Sequence, residues 1–154
     1  MSISDLMLEK GIYLGQFNLR GNVMDFEPAL TRSQYIALSD LVYFMYVNNK
    51  LVKIGKSGGA DGWNDRMSQY KRGRLASTDR TNNRIMDIME SYGESEIKVY
   101  AVQSPRREIE MVCPLTGEVF IFMVQTHREL ECSLTRRYLD EQPARDLPFC
   151  KQLK

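Results

Sequence analysis

Cysteine is scarce in this chain and badly spaced for a framework. Cys113, Cys132 and Cys150 are odd in number, far apart and contain no Cys-x-x-Cys, which excludes a disulfide scaffold and a thiolate zinc site. Histidine is scarcer still: His127 stands alone and reads as the opening residue of a helix rather than as a catalytic base. No apolar run comes near the roughly 20 residues of a membrane-spanning helix. Residues 1–10 are amphipathic and carry Asp5 and Glu9, where a secretory signal would have a basic start followed by an apolar segment. The expectation is a cytoplasmic protein with no membrane partner. Internal repeats and low-complexity tracts are also missing.

What is present is ordinary globular material. With 154 residues, 43% apolar and 27% charged, the chain can close one hydrophobic core and is too short for two. Its formal net charge of +1 gives no general attraction to a polyanion, but the charge is unevenly spread. Residues 50–84 hold nine basic side chains, Lys50, Lys53, Lys56, Arg66, Lys71, Arg72, Arg74, Arg80 and Arg84, against Asp61, Asp65 and Asp79. Such a face suits the phosphates of a nucleic acid, and a solvated helix end would have the same composition.

Periodicity supplies the elements. A short helix is predicted near residues 4–10, an irregular stretch at 21–28, and a second helix capped by Thr31 or Ser33. Two apolar runs, 41–47 and 51–54, flank Asn48-Asn49-Lys50, the composition of a tight hairpin whose turn needs positive φ. A glycine-rich connection over 58–62 leads to a helix on which Trp63, Met67 and Tyr70 recur at helical spacing. Thr81-Asn82-Asn83 offers a cap for a helix over 84–92, with Ile85, Ile88, Met89 and Tyr92 as its inward stripe. Residues 96–103 alternate as a strand that suits the first hairpin, and Pro105 interrupts it. A second hairpin, 107–112 with 119–125, turns through Cys113-Pro114-Leu115-Thr116-Gly117 and either extends the sheet or sits beside it. The last helix starts at Thr126 or His127, turns Leu130, Leu134, Tyr138 and Leu139 inward and stops at Pro143. Glu131 falls one residue from that stripe.

Cutting a phosphodiester requires a poised nucleophile, positive charge on the developing phosphorane and usually a metal ion on the leaving oxygen. The first hairpin sets Tyr43 and Lys53 on neighbouring strands, where a tyrosine beside lysines can lose or share its proton. Arg66 on the following helix can bind phosphate oxygens, and a glutamate on a later helix can ligate Mg²⁺. Taken singly, each residue also has an ordinary structural use. Tyr43 suits a strand, Tyr70 a helix end and Arg66 a surface, while Glu131 can pair with Arg128 or Thr135 on one helix face.

In their order and spacing these residues resemble the GIY-YIG nuclease superfamily, whose first motif strand is followed about ten residues later by Tyr-Ile-Gly, then a helix arginine and a distant helix glutamate. Here Val42-Tyr43-Phe44 stands for the first element and Lys53-Ile54-Gly55 for the second. Lysine in place of the second tyrosine, the following Lys56-Ser57, the Arg66 and Tyr70 pair and Glu131 are most similar to the small type II restriction endonucleases of that superfamily. The resemblance covers residues 41–139. The literal Gly11-Ile12-Tyr13 lies too far from Lys53 to share a hairpin with it. Near the C-terminus, Pro148-Phe149-Cys150 lacks the Asn that many relatives carry after a proline.

The resemblance implies that Tyr43 acts as, or positions, the general base for an attacking water, and that Lys53 lowers its pKa or binds the attacked phosphate. Arg66 would stabilise the pentacovalent transition state and Tyr70 hold a phosphate oxygen. Glu131 would be the sole protein carboxylate on one Mg²⁺, with Mn²⁺ as a substitute. Glu129 competes for that role, about 100° away around the helix. Lys56, Ser57, Lys71, Arg72, Arg74 and Arg80 would grip DNA.

The expected fold is α+β, a three-stranded antiparallel sheet flanked by helices with an additional β-hairpin. Residues 1–40 would form a helical extension for dimer or DNA contacts, 41–142 the nuclease-like core and 143–154 a tail. The expected activity is Mg²⁺-dependent DNA cleavage of restriction or phage type. A nickase or structure-selective nuclease in phage competition or repair is the alternative enzyme, and a noncatalytic DNA-binding module with a retained nuclease fold the alternative from another class. One active site cuts one strand, so a double-strand break calls for a homodimer or two binding events.

Overall fold

The organising element is β3 (Leu41–Val47), seven residues that are all buried. A strand covered on both faces needs apolar side chains at every position rather than at alternate ones. β3 pairs antiparallel with β4 (Lys50–Ser57) through a turn in which Asn48 and Asn49 take φ of 50° and 60°. That mirror-image turn matches the right-handed twist of the strands, and asparagine tolerates it. On its other side β3 pairs with β5 (Glu96–Gln103), so Tyr43 stands between Gly55 and Ala101. The computed structural model describes residues 1–58, 62–73, 80–93 and 95–142.

The sheet has five strands, not three. Residues 12–28 form a hairpin, β1 (Ile12–Arg20) and β2 (Val23–Pro28), and the strand order is β2-β1-β5-β3-β4 with antiparallel neighbours. The segment expected to be helical and irregular therefore completes the sheet. Two features hid it. The register of β1 slips between Tyr13 and Gly15, and such a bulge breaks the two-residue alternation. In β2 only Met24 and Phe26 face the core, too few to read as a strand. Pro28 and the outward Asp25 and Glu27 suit an edge, where charge and proline discourage further pairing.

Helices cover both faces. α1 (Ile3–Lys10) starts at Ser2, whose side chain accepts from the Asp5 amide, and α2 (Arg32–Ala37) starts at Thr31 in a capping box with Gln34. α3 (Trp63–Lys71) and α4 (Arg80–Tyr92) pack Trp63, Tyr70, Ile85 and Met89 on the face of Tyr43 and Met45. α1 and α5 (His127–Glu141) cover the face of Val42, Phe44 and Tyr46. Tyr46 donates to the Ser4 carbonyl at 2.9 Å, and burial pushes its phenol pKa well up, so it stays a donor. The Glu141 carboxylate accepts from the Ile3 amide at 2.9 Å and closes α1 on α5.

Two helix readings change. α4 begins at Arg80, so Asn82 lies inside it rather than capping it, and Tyr92 at its end is exposed while Met86 is buried. On α5 the buried face is His127, Glu131, Thr135 and Tyr138, which puts Glu131 in the inward stripe; Leu130 and Leu134 flank it, half-buried. The side chains of Arg80 and Ile88, together with Arg74 and residues 143–154, lie outside the described residues. The second hairpin, β6 (Arg107–Val112) and β7 (Val119–Val124), forms a separate two-stranded sheet. Its base is tied to the start of β3, where buried Asp40 accepts from Arg106 Nε at 2.7 Å and Gln125 Nε2 at 2.9 Å.

Candidate active site

Backbone pairing brings Gly55 under Tyr43, and the missing side chain there is a requirement. A Cβ on Gly55 would lie 2.5 Å from both Cζ and the hydroxyl of Tyr43, far inside van der Waals contact. The ring rests across the bare strand. Trp63 meets it edge-on with centroids 5.1 Å apart, and seven residues along α3 Tyr70 brings its hydroxyl to 2.7 Å from that of Tyr43. Both tyrosines are buried, so this short bond fixes the direction of the Tyr43 hydroxyl in a region of low dielectric.

Arg66 lies between Trp63 and Tyr70 on the same helix. Its Nε donates to the Lys56 carbonyl at 3.2 Å and its Nη1 to Gln69 Oε1 at 3.0 Å, which anchors the guanidinium on the backbone of β4. Asn82, reaching from α4, donates to the Gln69 carbonyl at 2.6 Å. That strut supports the turn of α3 carrying Tyr70, and the sequence concealed it because the residue resembles a cap.

β4 carries the remaining cations. Lys53 stands opposite Met45, on the face of Tyr43, and is half-buried; Lys56 stands opposite Val42, on the other face. Ser57 is buried opposite Leu41. Lys71 and Arg72 are exposed at the end of α3. Glu131 is only 3% exposed and belongs to α5, which packs on β4 from the α1 side of the sheet, whereas Glu129 points to solvent. Thus Tyr43 and Tyr70 are joined directly, Arg66 is fixed to β4, and Glu131 approaches that strand from its opposite face. β4 is an edge of the sheet, and Tyr43, Lys53, Lys56, Ser57, Arg66, Tyr70 and Glu131 sit on it or on elements packed against it.

His127, one helical turn before Glu131, is buried on the same face of α5, and a Cβ at Gly58 would collide with its imidazole. Its Nδ1 has no hydrogen-bond partner among the described residues. Reading it as a simple helix start missed this burial. Among the described residues no group of three or more His, Cys, Asp or Glu side chains forms a ready metal cage, and no helix is long and apolar enough to cross a membrane.

Comparison with known proteins turns on shape. No protein-family model and no curated protein sequence matches the chain. The structure of the bacteriophage T4 EndoII E118A mutant superimposes with a TM-score of 0.58 at 20% identity, over 93% of this chain and 96% of that one. Restriction endonuclease HPY188I in complex with product DNA superimposes with a TM-score of 0.54 at 16% identity, over 99% of this chain and 87% of that one. This chain has the fold of known endonucleases. Such coverage extends into residues 1–40 of this chain.

Proposed function

We propose that this chain is a DNA endonuclease of the GIY-YIG type that hydrolyses phosphodiester bonds with Mg²⁺, of restriction or phage type. The observation that carries the reading is the Tyr43 to Tyr70 hydroxyl pair above Gly55, held in an endonuclease fold. Tyr43 orients or deprotonates the attacking water, its hydroxyl aimed by Tyr70. Lys53, on the same face of the neighbouring strand, favours the phenolate or meets the attacked phosphate. Arg66 stabilises charge on the phosphorane; its Nε and Nη1 are engaged by the protein, which fixes the fork before substrate arrives. Removing one such stabiliser costs about 3 to 4 kcal/mol of transition-state energy, a loss of roughly 100- to 1,000-fold.

Glu131 is the residue that would hold the metal. A single carboxylate suits Mg²⁺, which keeps several waters and takes its other ligands from substrate phosphate, and Mn²⁺ can take the same place. The ion would supply charge neutralisation at the leaving oxygen. Lys56, Ser57, Lys71 and Arg72, with Arg74 and Arg80, contribute phosphate contacts. Two copies deliver the two strand cuts of a restriction-type break.

Incubating purified protein with plasmid in Mg²⁺ or EDTA tests the reading. Discrete bands in Mg²⁺ support restriction-type cutting, open circles a nickase, and retarded but intact plasmid in both conditions overturns the enzymatic assignment. Glu131→Ala should abolish cleavage while retaining DNA binding.

A further inference from the structure

Three polar side chains follow one another along the buried face of α5. His127, Glu131 and Thr135 are 8%, 3% and 3% exposed and stand about one turn apart. A helix face packed on a sheet ordinarily carries apolar residues at such positions. Leaving a buried polar atom without a hydrogen bond costs about 1 to 3 kcal/mol, yet His127 Nδ1 and Thr135 Oγ1 have no partner among the described residues, and neither does Ser57 Oγ at the end of β4. Such atoms in a folded protein point to a group that the chain itself does not supply.

The ring of His127 is closely placed. Its Nε2, Cε1 and Cδ2 atoms occupy the space a Cβ on Gly58 would need, so the outer edge of the imidazole rests against the backbone that leaves β4. Nδ1, bonded to Cγ, stays on the inner side next to α5. Helical side chains lean toward the N-terminus, and residues four apart share a face with Cβ atoms about 6 Å from each other. Glu131 therefore leans over the turn that carries His127.

We propose that His127 Nδ1 is a second protein ligand, beside the Glu131 carboxylate, for the divalent cation of this chain, and that the pair favours Mn²⁺ over Mg²⁺. The proposal rests on the reading of Glu131 as the metal-holding residue and goes beyond it, because that reading gives the ion one protein ligand. Spacing supports the pair: ligands at i and i+4 on one helix face grip a single ion in the His-Glu-x-x-His pattern. Chemistry sets the preference. A neutral imidazole offers a lone pair, and a nitrogen with a carboxylate oxygen suits a transition metal, whereas Mg²⁺ prefers oxygen ligands and keeps its waters. Water alone could satisfy the hydroxyls of Ser57 and Thr135; a lone-pair nitrogen one turn from a buried carboxylate selects a cation.

A site with two protein ligands fills without substrate, so the test uses the full chain and Mn²⁺ with no DNA. Pulsed electron paramagnetic resonance of the loaded protein should show hyperfine coupling to a directly bound nitrogen. His127 is the single histidine, so that coupling has one source, and His127→Gln should remove it. Calorimetric titration should find Mn²⁺ bound at least about 10-fold more tightly than Mg²⁺. Both His127→Gln and His127→Ala should weaken Mn²⁺ binding by about 10- to 100-fold, the loss that even an outer-shell partner produces, with Mg²⁺ affinity little changed. Thr135→Val, on the same buried face, should leave the coupling and the affinity as they are. The wild-type spectrum decides the matter even where a variant fails to fold. A wild type that takes up no Mn²⁺ at millimolar concentration, or takes it up without nitrogen coupling, overturns the second ligand, while plasmid cleavage and its loss in Glu131→Ala would still uphold the nuclease reading. Mn²⁺ binding with nitrogen coupling that persists in Glu131→Ala overturns the pair and with it the assignment of the metal to Glu131.

Discussion

Replacing Gly55 with alanine tests the geometry on which the candidate site depends. The new methyl carbon would sit 2.5 Å from Tyr43 Cζ and from its hydroxyl, whereas unstrained carbon contacts are about 3.5 to 4.0 Å. The ring must back away by roughly 1 Å. It has nowhere to go, because Trp63 lies edge-on behind it at 5.1 Å and Tyr70 holds its hydroxyl at 2.7 Å. Overpacking of this kind costs about 1 to 3 kcal/mol. In a chain of 154 residues, each kcal/mol moves Tm by about 2 to 4 °C, so a drop of roughly 2 to 12 °C is expected. Trp63 is the single tryptophan, so its emission reports the displacement directly. A shift of about 1 Å in Tyr43 should also lower cleavage about 100-fold if the proposed chemistry holds. Gly93→Ala is the control: its added carbon meets nothing within 4 Å, though its φ of +66° costs some strain. That variant should lose stability modestly with Trp63 emission unchanged. A Gly55→Ala protein with wild-type Tm and wild-type Trp63 emission would refute the placement of Tyr43 over β4.

Other perturbations reach the surrounding scaffold. Asp40→Ala leaves Arg106 and Gln125 without their shared acceptor at the hairpin base; Arg106 is partly exposed and rehydrates, so urea unfolding should show a loss of about 1 to 3 kcal/mol. Glu141 has its pKa held below the ordinary 4.5, first by the Ile3 amide and then by Arg137. A depressed carboxylate stabilises the fold fully above its unfolded pKa and loses that contribution as pH falls through the folded value. The Tm gap between wild type and Glu141→Gln should therefore be complete at neutral pH and close on acidification below 4.5; a gap that persists in acid contradicts the assignment. At the hairpin tip, hydrogen bonds from Thr116 and neighbouring amides draw the Cys113 thiol pKa down. In a chain with Cys132 and Cys150 replaced by serine, Thr116→Val should slow iodoacetamide alkylation at neutral pH, and an unchanged rate would rule out that hydrogen bond as the cause.

Local chemistry was enough to define much of this protein. Asn48-Asn49 between two apolar runs specifies a mirror-type turn because few residues accept positive φ, and the turn in turn fixes which residue of β4 faces Tyr43. The uninterrupted 41–47 run announces a strand buried on both faces. The capping signals at Thr31, the spacing of Trp63 and Tyr70, and the second hairpin all rest on interactions within a few residues, where sequence and geometry are directly linked. Candidate residues were legible for the same reason: their order and spacing are properties of the chain.

Only the tertiary structure decided the rest. The β1–β2 hairpin was hidden because a bulge disrupts its alternation and because its partner, β5, lies some eighty residues away. Asn82 passed for a cap until α3 was packed against α4 and gave it the Gln69 carbonyl. The inward turn of Glu131 and His127 depended on α5 lying over β4, where polar residues replace leucines on the buried face. Sequence encodes local conformational preference almost directly, whereas burial and hydrogen-bond partners are set by whichever distant segment arrives to cover a surface, and no window of neighbouring residues contains that information.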